Sequence, residues 1–192
     1  MNLFKKLFTK NPEEELRNVL DTIEKANKII ANMGNSQNSP SKDIFIKALS
    51  EIEDAKENPV ISDDKETRKS LENFQKTCVQ MIAAILHAEG LVPFQAGDYQ
   101  KTFEILDGLR ELIVKYCEFF EIERSKLRIF IEDIRKDFSG SPNEKIKSLN
   151  SMRTKYQEKA REVFGNAPAD TFVEMLVDAI VVTIACKAMI KK

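Results

Sequence analysis

The chain of 192 residues contains a single histidine, His87. That count alone removes several chemistries. A di-iron helical bundle takes a Glu-x-x-His from each of two helices, and an HExxH zinc site takes two histidines. Cys78, Cys117 and Cys186 stand far apart without C-x-x-C spacing, so neither a zinc site nor a disulfide framework is written in them. Each lies among apolar neighbours and reads as a small core residue of a reducing compartment. No glycine-rich phosphate loop or G-x-S-x-G elbow occurs, and only six glycines are present to build one. The sequence therefore predicts no cofactor and no metal, and its motifs lean away from an enzyme.

Two carboxylates come closest to a site. Glu174 and Asp178 are four residues apart and share one face of a helix. Such a pair can hold a hard cation or do acid–base work, but no third and fourth ligand is visible by spacing, and the pair also reads as a solvated strip. Asp178 sits between Val177 and Ala179, and if buried it needs a partner. His87 ends an apolar helical run, where a core or helix-end histidine is the plain reading and a general base the sharper one. A pocket near His87, Asp178 and Cys186 is accordingly the alternative to a non-catalytic reading.

Two basic amphipathic segments stand out more strongly. At the N-terminus Leu3, Phe4, Leu7 and Phe8 fall on one helical face, with Lys5, Lys6 and Lys10 around them. Basic and Leu/Phe-faced is the pattern of an interfacial membrane anchor, and docking of the two phenylalanines onto the protein body is the competing reading. The second segment, 145–161, sets Lys145, Lys147, Arg153, Lys155, Lys159 and Arg161 against one acid, Glu158. It is a possible face for an anionic partner, or a helix whose lysines snorkel around a buried stripe. Only Tyr156 is aromatic there, too little for stacking on bases. With a net charge of −1 no whole-molecule field attracts nucleic acid, so that partner is disfavoured.

The elements that position these residues are helical. Hydrophobic residues make up 42% and charged residues 32%, and scarce Gly and Pro (six each) favour long helices over a many-turned β fold. Asn11-Pro12 followed by three glutamates starts a helix expected to end near Met33. A second starts near Ser39-Pro40 or Ser41 and ends at Asn58-Pro59. A third starts after Ser62-Asp63, with Glu66 closing a capping box on Asp63, and is expected to stop near Glu89 under Gly90 and Pro93. Leu106, Ile113, Phe120, Leu127 and Ile134 then repeat with a heptad period. Phe103, Cys117, Ile131 and Phe138 fill the companion seam, which either this chain or a second copy would cover. The stretch 98–138 reads as one very long helix or as two, and a break or kink near Glu123-Arg124-Ser125-Lys126 is expected because globular helices rarely run that far. Helices over about 143–164 and from Pro168 onward complete the chain, and the helix ending at His87 should pair centrally with the last one. No uncharged stretch reaches the ~18–20 residues of a bilayer span, and MNLFKKLFTK has no secretory apolar run.

The sequence thus predicts an all-α protein, an antiparallel multi-helix bundle or compact helical array of about seven helices. Its organisation is a short amphipathic segment, 1–10, followed by one helical domain, 11–192. The functional expectation is a non-catalytic protein-interaction module. Its partner would be another protein, with an anionic membrane surface and a second copy of the chain as further possibilities. It would work in the cytoplasm or at the inner face of the membrane. The alternative is an enzyme or small-ligand binder using His87, Asp178 and Cys186.

Overall fold

A computed structural model describes residues 11–32, 42–58, 64–165 and 168–190. Among the described residues the regular structure is entirely helical: α1 (Pro12–Asn32), α2 (Lys42–Glu57), α3 (Lys65–Gln95), α4 (Tyr99–Lys115), a 3-10 turn (Cys117–Phe120), α5 (Arg124–Asp137), α6 (Pro142–Phe164) and α7 (Asp170–Ile190). The chain divides into two compact units, Met1–Ile82 and Ala83–Lys192, with the division inside α3.

In the first unit α1 packs on α2. The Asn11 side chain accepts the Glu13 N–H at 3.1 Å, the expected cap on the positive end of the helix dipole. Phe45, Ala48, Leu49, Ile52 and Ala55 form the buried face of α2 at spacings of three and four. The expected cap of α3, Asp63, lies outside the described residues. Asp64 does the capping instead: its carboxylate accepts the Glu66 N–H at 3.0 Å and the Thr67 hydroxyl at 2.9 Å.

The expected stop of α3 near Glu89 is corrected by the structure, since the helix continues through Gly90 and Pro93 to Gln95. Gly90 is a packing residue. A Cβ there would stand 2.4 Å from Leu106 Cδ2 on α4, so glycine lets the two helices meet. Pro93 forfeits one rung of the hydrogen-bond ladder, but its own carbonyl accepts the Asp98 N–H at 2.9 Å. The chain turns at Gly97, which holds a left-handed φ of 78°. Asp98 then caps α4 by accepting the Lys101 N–H at 3.0 Å.

The break between α4 and α5 falls earlier than expected, beginning at Tyr116 and ending at Arg124. Packing sets its place. Phe120 stacks on Phe172 of α7 with ring centroids 3.9 Å apart, and Ile122 is only 3% exposed. A helix continued past Phe120 would carry Ile122 to the opposite side. Left-handed backbone at Glu121, φ 60°, reverses the chain and returns Ile122 to the core. Leu106, Ile113, Phe120, Leu127 and Ile134 of the heptad seam are all buried within the chain.

In the second unit α7 is the central element, packed chiefly against α4 and α6, while α5 lies on α6. Residues from Phe172 to Cys186 are buried almost without interruption, as a helix apolar on every side requires. The C-terminal half of α3 is less enclosed than its composition suggests, with Ala84, Ala88 and Val92 exposed. The His87–Asp178 contact joins α3 to α7 at one polar point. Ser141 and Glu144 cap α6 reciprocally: Ser141 N–H donates to Glu144 Oε2 at 2.7 Å and Glu144 N–H to Ser141 Oγ at 3.4 Å.

Candidate functional site

That polar point is Asp178. Its side chain is 0% exposed on a helix otherwise buried in hydrocarbon, where an unpaired carboxylate would be prohibitively costly. Two other helices supply its partners. Arg153 of α6 donates from Nε to Oδ1 at 2.5 Å and from Nη2 to Oδ2 at 2.7 Å. His87 of α3 places Nε2 2.9 Å from the same Oδ2. With the guanidinium always charged and holding both oxygens, the carboxylate is an acceptor for imidazole. An N–H on His87 Nε2 therefore donates to Asp178 Oδ2. The His87 side chain is 16% exposed and that of Arg153 28%, so both reach the edge of a cluster whose centre, Asp178, is sealed.

The structure thus brings His87 and Asp178 together and leaves Cys186 out. Cys186 lies eight residues along α7 from Asp178, an axial rise of about 12 Å, and burial pushes its thiol up to about 12. Glu174 is separated from Asp178 by environment, exposed while Asp178 is enclosed. Arg153, grouped by sequence with the solvated lysines of α6, instead turns inward as the counter-charge Asp178 demands.

The rest of the basic segment faces α5 and solvent. Lys159 Nζ meets Asp133 Oδ2 at 2.9 Å, and Lys155 pairs with Asp137. Arg161 bridges to Asp170 at 3.3 Å, and Lys145 donates to the Gly140 carbonyl at 3.1 Å. Lys147 is exposed. Between α5 and α6 lies a groove of about 380 Å³, lined by Asp133, Lys136, Asp137, Lys155, Tyr156 and Lys159. Tyr156 forms its floor. The ring packs edge-on against Phe130 at 5.7 Å, and the hydroxyl lies 3.1 Å from Asp137 Oδ2 and 3.2 Å from the Asp133 carbonyl. Burial and then the hydrogen bond to Asp137 push this phenol up to about 12. Lys155 and Lys159 stand 5.5 and 5.7 Å from the ring centroid, within cation–π range. Hydrogen bonds from Lys159 and Lys155 in turn hold Asp133 and Asp137 below the usual carboxylate range.

Sequence reasoning missed Lys136, Asp133 and Asp137 as groove residues. A signal for them exists: acids four apart on α5 match lysines four apart on α6, the pattern of two antiparallel helices laid side by side. The N-terminal residues proposed to touch a membrane or partner, Leu3 to Lys10, lie outside the described residues. Among the described residues, one helix, α3, has an 18-residue window apolar enough to cross a membrane, longer than the sequence's uncharged stretches suggested, with 39% of it buried. The described residues contain no group of three or more His, Cys, Asp or Glu placed to hold a metal ion. No protein family, curated protein or solved structure matches this chain.

Proposed function

We propose that the protein is a non-catalytic helical interaction module that receives an acidic segment of another protein in the groove between α5 and α6. The observation that carries this reading is the way the groove holds its lysines. The ion pairs to Asp133 and Asp137 fix Lys159 and Lys155 in place. Each ammonium has three donors and commits one to its aspartate, so two remain for an incoming carboxylate. Lys136 adds a third ammonium against the two carboxylates. Ammoniums already immobilised spare a ligand much of the side-chain ordering cost of binding.

Zero-length carbodiimide coupling in native lysate tests this, because it joins amines only to carboxylates in direct contact. Intermolecular adducts should map to Lys136, Lys155 and Lys159 and disappear in the Lys136→Gln/Lys155→Gln/Lys159→Gln variant with its helical circular dichroism unchanged. Adducts that map elsewhere, or that survive the triple substitution, would overturn the reading.

A further inference from the structure

Ile129 is 63% exposed in the middle of α5, a position that neither the core nor the groove's ion pairs explain. It sits one helical turn before Asp133, on the same side of α5. The pairs Asp133–Lys159 and Asp137–Lys155 also fix the antiparallel register of α5 and α6. Continued by one turn, that register sets Ile129 level with Val163, which is half-buried. By that register Ile129 and Val163 form an apolar step one turn beyond the residues that line the groove, about 6 Å from the level of Lys159 and about 12 Å from that of Lys155.

From this we infer that the groove and the Ile129 step are one docking site, and that its occupant is an acidic amphipathic helix of a partner protein. This rests on the groove being a protein-docking site, as proposed above. Charge fixes the sign of the ligand: three ammoniums face the opening against two carboxylates already satisfied by them. Geometry fixes the spacing. A third helix laid along the seam of two others repeats every 5.4 Å, so an apolar residue seated on Ile129 and Val163 places its i+4 residue at Lys159 and its i+8 residue at Lys155. The recognised pattern is a large apolar residue with Glu or Asp at i+4 and i+8. Glu162, exposed beside Val163 on α6, disfavours an acid at the apolar end. This is helix-in-groove recognition with one apolar anchor and a charged rim.

A labelled synthetic helical peptide with Leu at i and Glu at i+4 and i+8 is the probe, titrated by fluorescence anisotropy against the full chain. Binding should saturate and weaken with salt. Ile129→Ser should weaken it by roughly tenfold, the size expected for one buried aliphatic contact. Lys136→Gln/Lys155→Gln/Lys159→Gln should weaken it further and flatten the salt dependence. A peptide with Leu replaced by Ser should bind wild type and Ile129→Ser equally. If Ile129→Ser binds like wild type while the lysine variant does not, the apolar anchor is refuted and the acidic groove stands. If the lysine variant binds like wild type, both readings fall. Lack of saturation up to millimolar peptide, or capture of phosphatidylserine vesicles that the peptide does not compete off, overturns the helical partner.

Discussion

Replacing Arg153 by methionine should destabilise the protein more than replacing Asp178 by asparagine, although Asp178 is the residue at the centre of the cluster. Arg153→Met removes two of the three hydrogen bonds on a carboxylate that is 0% exposed. Breaking a buried ion pair from one side costs about 3–5 kcal/mol, because the remaining charge stays in place without its partner. Arg153 is 28% exposed, so water can follow the lost guanidinium, and the lower part of that range, about 3 kcal/mol, is expected. Asp178→Asn leaves the opposite remainder. The charge it strands belongs to Arg153, which reaches solvent, and His87 can switch tautomer to accept the new amide N–H. That variant should cost about 1–2 kcal/mol. Arg153→Met combined with Asp178→Leu should recover most of the loss, since no charge is then left buried. Urea unfolding followed by far-ultraviolet circular dichroism, with slopes compared among variants, measures all three. An Arg153→Met variant within about 1 kcal/mol of wild type, or less destabilised than Asp178→Asn, would show that the cluster is hydrated and the reasoning wrong.

Two glycines should respond oppositely to alanine. Gly90→Ala forces a methyl against Leu106 and should cost about 1–3 kcal/mol against a smaller helix-propensity gain. Gly108→Ala, with nothing within 4 Å of its Cβ, should stabilise α4 by roughly 0.5–1 kcal/mol, and equal shifts in urea midpoint would contradict both assignments. Asp64, Asp133, Asp137 and Glu144 are all held below their ordinary values, Asp64 first by the Thr67 hydroxyl and Glu144 first by Ser141. Groups with a lowered folded pKa bind protons more readily when unfolded. Their contribution is therefore complete above the unfolded values, 3.8 for Asp and 4.5 for Glu, and is lost as pH falls through the folded ones. A melting temperature that rises on acidification below pH 4 would reverse that sign. Burial raises the Cys78 thiol to about 11 and that of Cys186 to about 12, so a disulfide reagent at pH 8 should label both only as fast as the chain opens. Should the N-terminal segment bind lipid, anionic vesicles will pellet the wild-type chain in low salt and fail to pellet Phe4→Asp or Phe8→Asp.

The all-helical class was legible because it is written locally. Helical spacing of apolar residues, caps such as Asn11-Pro12 and scarce glycine specify helices wherever the chain happens to pack. The buried faces of α4 and α5 were legible for the same reason, since helical spacing marks the apolar positions within each helix. What the sequence misplaced were events decided by neighbours distant in sequence. The end of α3 moved past Gly90 because Leu106 needs the space a side chain would fill, and the α4–α5 break moved to Tyr116 because Phe120 and Ile122 each find a buried place. Asp178 could be marked as needing a partner from its apolar flanks alone. That the partners are Arg153, 25 residues back, and His87, 91 residues back, follows from three helices converging, which no local pattern encodes. The same holds for the groove. Lys155 and Lys159 read identically as solvated or as ligand-binding until α5 lies alongside α6 and its aspartates hold them in place. Backbone periodicity determines which residues share a face, but only tertiary packing decides what that face meets and how much water remains there.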